Sequence, residues 1–134
     1  MRRNLPGVLV ASLALLVAVF PASAHHGFAV EFDGTKCVDI TGTLTGIDWQ
    51  NPHAYFHMDV KDANGKVTTW NFELASPNVL SRNGWTRHSL QEGDEITVQG
   101  SMAKDGSNLA NARTVTLASG KKVFAGSNTD SDQK

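Results

Sequence analysis

The chain has 134 residues, with 12 basic and 13 acidic side chains and a formal net charge of −1 at neutral pH. This length suits a single domain. The lack of a basic excess argues against a nucleic-acid-binding protein, because binding to phosphates needs a positively charged surface. The one cysteine, Cys37, excludes an internal disulfide, and the sequence leaves its role open.

The first 24 residues have the features of a secretory signal peptide. Arg2 and Arg3 precede an apolar run at residues 8–20, which at about 13 residues is too short to cross a bilayer. Small residues lie at the two positions that a signal peptidase recognises before the Ala24–His25 bond. We therefore expect cleavage there, a periplasmic or secreted protein starting at His25, and no membrane span in the mature chain.

Cleavage at this point would place His25 and His26 at the mature N-terminus. The α-amino group and imidazole of an N-terminal histidine form a two-nitrogen chelate, and nitrogen sites favour Cu²⁺ among the divalent metals. A third nitrogen would complete the T-shaped arrangement called a histidine brace. His53 is the preferred third ligand, since it follows a proline-containing turn, and Glu73 is expected to bind the metal or to orient a ligating ring. The sequence thus predicts a metal site, with copper preferred, at His25, His26, His53 and Glu73.

A simpler interpretation exists for the same histidines. His25 and His26 could merely follow the cleavage site in a frayed terminus. The ring of His53 could close its own turn by a hydrogen bond to the backbone.

The rest of the mature chain is predicted to be mainly β, with one short helix between the third and fourth strands. Ser76 suits the N-cap of this helix, Pro77 its first turn and Gly84 its end. This order indicates a small five-stranded OB-like barrel at residues 25–125, followed by a disordered polar tail at 126–134. An open five-stranded sandwich is the alternative. The expected strands are 38–49, 54–61, 67–74, 95–100 and 112–117.

The hairpin between the second and third strands has a predictable register. Both strands alternate apolar and polar residues, and a three-residue loop with Gly65 in a left-handed conformation keeps their apolar side chains on one face. That loop pairs Asp62 with Lys66, and it places Tyr55 opposite Glu73.

Three motifs resemble a family of small exported bacterial proteins of unknown function. They are His25-His26-Gly27-Phe28, the turn Asn51-Pro52-His53, and the stretch from Phe72-Glu73-Leu74 to Ser76-Pro77-Asn78. Members of that family typically begin His-His-Ser-Phe after a signal peptide and carry an Asn-Pro-His turn, so Gly27 departs from the pattern. The resemblance implies an exported barrel-like domain and supplies no activity.

Two functions are consistent with these features. In the first, the protein carries or buffers copper. An oxidative copper enzyme is a stronger version of this hypothesis, but it needs an open coordination position and a substrate surface, and the sequence shows neither. Other chemistry has little support, because no nucleophile elbow, phosphate-binding loop or dinucleotide motif is present. In the second, the barrel is a non-metal adaptor that binds a protein or small ligand on the face of its second and third strands, and the histidines are incidental.

Overall fold

A computed structural model gives the structure of residues 27–126. The protein is mainly β, as predicted, with two short helices, and neither helix in this part of the chain is long and apolar enough to cross a membrane. The expected signal peptide, His25, His26 and residues 127–134 lie outside the described residues. In chain order the elements are α1 (Phe28–Glu31), β1 (Phe32–Asp48), β2 (Tyr55–Lys61), β3 (Val67–Glu73), α2 (Pro77–Arg82), β4 (Glu95–Ala103), β5 (Leu109–Leu117) and β6 (Lys122–Phe124).

Strands β1 to β5 form a closed ring. β1 pairs with β2 on one side and with β4 on the other, and the pairs β2–β3 and β4–β5 are likewise antiparallel. A parallel contact between β3 and β5 closes the ring, which argues against the open sandwich. β6 is a sixth strand, paired with β5, beyond the five that were expected. Three residues are too few to give an alternating pattern in the sequence.

The register of the β2–β3 hairpin confirms the prediction. The backbone N–H of Asp62 donates to the carbonyl of Lys66 at 2.9 Å, and Gly65 has a φ of +82°. Tyr55 therefore lies opposite Glu73. The turn thus fixes which side chains meet at the far end of the hairpin.

The inward faces of the strands fill the ring with apolar side chains. Helix α2 follows β3 and begins after Ser76, whose Oγ accepts the backbone N–H of Val79 at 3.3 Å. It contributes Leu80 to the core. The main strand residues of this core are Leu44, Phe56, Met58, Phe72, Ile96, Val98 and Val115.

Two glycines allow neighbouring strands to approach closely. A Cβ at Gly42 in β1 would lie 2.5 Å from the carbonyl oxygen of Asp59 in β2. A Cβ at Gly100 in β4 would overlap the carbonyl oxygen of Asn111 in β5, and it would lie 3.1 Å from the Cα of Ala112. The β4–β5 register shifts between Gln99 and Gly100, so Gly100 occupies an irregular point of the ladder where a side chain has no room.

Candidate functional site

A buried carboxylate, Glu73, lies where three strands meet. Its side chain is at the end of β3, and the residue is 7% exposed. Tyr55, opposite on β2, donates its hydroxyl to Oε2 at 2.8 Å. Asn111, beside it on β5, donates Nδ2 to Oε1 at 3.1 Å. Both carboxylate oxygens are thus hydrogen-bonded, as a buried charge requires.

The environment of Tyr55 keeps its phenol protonated. Burial raises the pKa of Tyr55 most, followed by the hydrogen bond to Glu73 and then by the negative charges of Glu73 and Glu31. Glu31, the last residue of α1, makes the smallest of these contributions.

His53 lies two residues before the start of β2, next to the same carboxylate. Its Nδ1 is 3.1 Å from the carbonyl oxygen of Leu74. A carbonyl can only accept, so Nδ1 carries the proton, and Nε2 of the neutral ring keeps a free lone pair. The Nδ1 atom is also 3.9 Å from Oε1 of Glu73, and the side chain is 38% exposed. The simpler interpretation of His53 expected a hydrogen bond from its ring to the backbone of its own turn. The ring instead bonds to Leu74, the residue after β3.

A second polar cluster surrounds His57, on the outer face of the ring. Its Nε2 is 2.8 Å from Oδ2 of Asp48, and its Nδ1 is 2.6 Å from Oδ1 of Asn71. Both neighbours are acceptors, which favours the doubly protonated ring. Burial lowers the pKa of His57, but the hydrogen bonds to Asn71 and Asp48 and the charge of Asp48 outweigh it, so the pKa is raised overall. Both ring nitrogens are occupied, unlike those of His53.

The structure brings together two of the four predicted metal ligands. His53 and Glu73 are neighbours, whereas His25 and His26 lie outside the described residues. Within residues 27–126, no three His, Cys, Asp or Glu side chains are grouped so that they could hold a metal ion. Cys37 is exposed on β1. The four-residue metal site stays a prediction.

Two residues of these clusters were missed by the sequence analysis. Asn111 lies one residue outside the expected fifth strand, 112–117, yet it is in β5 and 1% exposed. Its position between Ala110 and Ala112 was the available signal, because a polar residue in a run of small apolar ones suggests a buried hydrogen bond. Asp48 gave no such signal. It meets His57 because the pairing of β1 with β2 shifts register near the end of β1, and this shift cannot be seen in the sequence.

The closed ring and its strand order define an OB-type barrel, and a hydrogen-bonded carboxylate is buried beside its β2–β3 hairpin. The chain belongs to a family of unknown function, DUF6152, whose model matches residues 13–112. This agrees with the resemblance found in the sequence. No curated protein matches the chain.

Solved structures resemble the fold at low sequence identity. The mitochondrial single-stranded DNA binding protein Rim1 from S. cerevisiae, in its Form2 crystals, is 9% identical, with a TM-score of 0.50 over 62% of this chain and 93% of that chain. Its Form1 crystals give 9% identity and a TM-score of 0.49, with 62% and 92% covered. A ZRD-deleted mutant of TiaS in complex with agmatine is 19% identical, with a TM-score of 0.47 over 72% of this chain. This chain spans 23% of that protein's length. The likeness to Rim1 supports the OB-type fold alone.

Proposed function

We propose that the protein is exported and binds copper through its mature N-terminus and His53. The α-amino group and ring of His25 would supply two nitrogens, and Nε2 of His53 would supply the third. His26 follows His25 in the sequence and would be an additional ligand. The protein would carry or buffer the ion rather than turn over a substrate.

One observation carries this proposal, namely the hydrogen bond from His53 Nδ1 to the Leu74 carbonyl. Metal-binding histidines almost always donate their other ring N–H to a carbonyl or carboxylate, which fixes the tautomer and the ring orientation. His53 has such a bond, a partly exposed ring and an Nε2 without a hydrogen-bond partner among residues 27–126. His57 has no such free nitrogen, because its Nε2 is hydrogen-bonded to Asp48.

Glu73 supports the site as a positioning residue and not as a ligand. Its two oxygens already accept from Tyr55 and Asn111. Its Oε1 lies 3.9 Å from His53 Nδ1, where it would help to hold the ligating ring in its orientation. A bound cation would also compensate the buried negative charge.

The copper proposal requires the mature N-terminus to reach His53. Helix α1 begins at Phe28, two residues after the end of the pair His25-His26. The three steps from His25 to Phe28 span about 10 Å when extended. We propose that this short segment brings the chelating residue to the barrel surface that carries His53.

The competing proposal is a non-metal ligand-binding or adaptor module. Its support is the polar outer face of β2 and β3, where His57 and Asn71 are joined to Asp48, because OB-type barrels often bind ligands on these strands. Asp48 and Asp59 on this face would repel phosphates, so nucleic acid is not the proposed ligand.

The deciding experiment is an intact mass and metal analysis of protein exported with its own leader and isolated without added metal. A mass starting at His25 with near-stoichiometric copper supports the copper proposal. The same mass without copper, and without uptake from dilute Cu²⁺, would overturn it and leave the adaptor.

Variants then test the ligands individually. One extra residue before His25 displaces the α-amine, and His53→Gln removes the third nitrogen. Each should weaken Cu²⁺ binding by more than about 100-fold, whereas Glu73→Gln should cost about 10- to 100-fold. His88→Gln and Glu92→Gln are matched controls at exposed positions and should bind normally. Equal affinity with and without the extra residue would refute the brace.

A further inference from the structure

A separate cavity lies on another part of the barrel. It has a volume of about 430 Å³, and it is formed between the loop that follows α2 and the turn between β5 and β6. Volumes of this size suit small organic ligands. The residues that matter to its chemistry are Trp85, Ser89, Leu117, Lys121, Lys122 and Val123.

The apolar part of the cavity is held by the core. Trp85 is 4% exposed and belongs to the core, and Leu117 and Val123 pack against that core. The backbone N–H of Trp85 donates to the carbonyl of Leu80 in α2 at 3.0 Å, and that of Leu117 donates to Lys121 at 2.9 Å. Both walls are therefore anchored, which lowers the entropy cost of binding.

The polar part of the cavity is cationic. Lys121 and Lys122 are exposed, and within the described part of the chain neither takes part in an ion pair. Ser89 accepts the backbone N–H of Thr86 through its Oγ, so its hydroxyl proton is available to a ligand. The same cavity is thus lined by two lysines, a serine and apolar side chains. This combination is complementary to a carboxylate on an apolar body.

We propose that this cavity binds a small organic carboxylate. The apolar body would lie against Trp85, Leu117 and Val123, and the carboxylate would accept hydrogen bonds from Lys121 and Lys122, with Ser89 as a further donor. This site is independent of the copper proposal, because none of its residues belongs to the Glu73 or His57 cluster. It gives the barrel a binding function that does not depend on the N-terminal histidines.

The test is an NMR titration of the purified ¹⁵N-labelled protein with benzoate and, in parallel, with its neutral isostere benzamide. Benzoate should give saturable shifts of the Gly84, Ser89 and Val123 amides and of the Trp85 indole N–H. Benzamide should bind roughly tenfold more weakly, because a charge-assisted hydrogen bond is about twice as strong as a neutral one.

A double variant tests whether the two lysines bind the carboxylate. Lys121→Gln with Lys122→Gln should weaken benzoate binding by roughly tenfold and leave benzamide unchanged. The matched control is Lys61→Gln with Lys66→Gln, which removes two exposed lysines at the β2–β3 hairpin and should leave both ligands unaffected. Equal binding of benzoate and benzamide would overturn the proposal, and so would unchanged benzoate binding in the Lys121/Lys122 variant. A lack of saturable shifts up to about 50 mM benzoate would also overturn it, because that affinity is too weak for a specific site.

Discussion

Gly100→Ala tests whether the close approach of β4 and β5 is required for the barrel. The new Cβ would overlap the carbonyl oxygen of Asn111 and lie 2.9 Å from its carbonyl carbon. These are backbone atoms, so a side-chain rotation cannot relieve the overlap. The strands would have to separate where Gly100 pairs with Ala112 and Ser101 pairs with Asn111.

The expected cost is about 3 kcal/mol of unfolding free energy. Overpacking costs 1–3 kcal/mol, and each weakened ladder hydrogen bond adds about 1 kcal/mol. The smaller conformational entropy of the unfolded alanine chain offsets about 0.4–1 kcal/mol of this. With a urea m-value of about 1.5 kcal/mol/M, the unfolding midpoint should fall by about 2 M.

Urea unfolding monitored by tryptophan fluorescence measures this shift, with Gly46→Ala as the control. A Cβ at Gly46 would lie 3.7 Å from the His57 ring, an ordinary van der Waals distance. The same substitution in β1 should therefore change stability by less than about 1 kcal/mol. If Gly100→Ala unfolds at the same urea concentration as Gly46→Ala, the reasoning about the β4–β5 approach is wrong.

Three further predictions concern single side chains. The raised pKa of His57 means that its bonds stabilise the fold fully below the unfolded pKa of about 6.5 and lose this effect as pH rises through the higher folded value. His57→Gln should therefore reduce the unfolding free energy, measured by urea unfolding, more at pH 5.5 than at pH 8.5. The difference should be less than about 1 kcal/mol, because the ion pair is partly exposed; a loss that does not depend on pH would contradict this. Tyr55→Phe removes a donor to buried Glu73 and should cost about 1.5–3 kcal/mol in urea unfolding, whereas an unchanged midpoint would mean that water replaces the hydroxyl. Ser76→Ala removes the α2 N-cap and should cost about 1 kcal/mol in thermal unfolding, with Ser76→Asp, another good cap, as the variant that retains stability.

The sequence predicted local structure well where a few residues decide it. The hairpin register followed from two local features: the apolar residues share one face, and a three-residue loop with Gly65 joins Asp62 to Lys66. Together they correctly placed Tyr55 opposite Glu73. Such arguments work because a turn and a two-residue period involve neighbours in the chain.

Long-range closure could not be predicted in the same way. The parallel contact that sets Glu73 beside Asn111 joins residues 38 apart, and no local pattern encodes its register. The length of β1 was underestimated for a similar reason. Its first residues, from Phe32, are held by pairing with the end of β4 and not by a recognisable strand sequence.

The parallel contact between β3 and β5 also makes the hydrogen bonds around Glu73 depend on closure of the ring. Glu73 is on one of these strands and Asn111 on the other, so their hydrogen bond exists only once the ring is closed. A partly folded chain, with the β2–β3 hairpin formed but β5 undocked, would have the carboxylate beside Tyr55 without its second donor. The surroundings of His53 are then incomplete until the last strand of the ring is in place. If the protein is exported unfolded, as the proposed function implies, it would acquire its full set of contacts around this histidine only after the barrel has closed outside the cytoplasm.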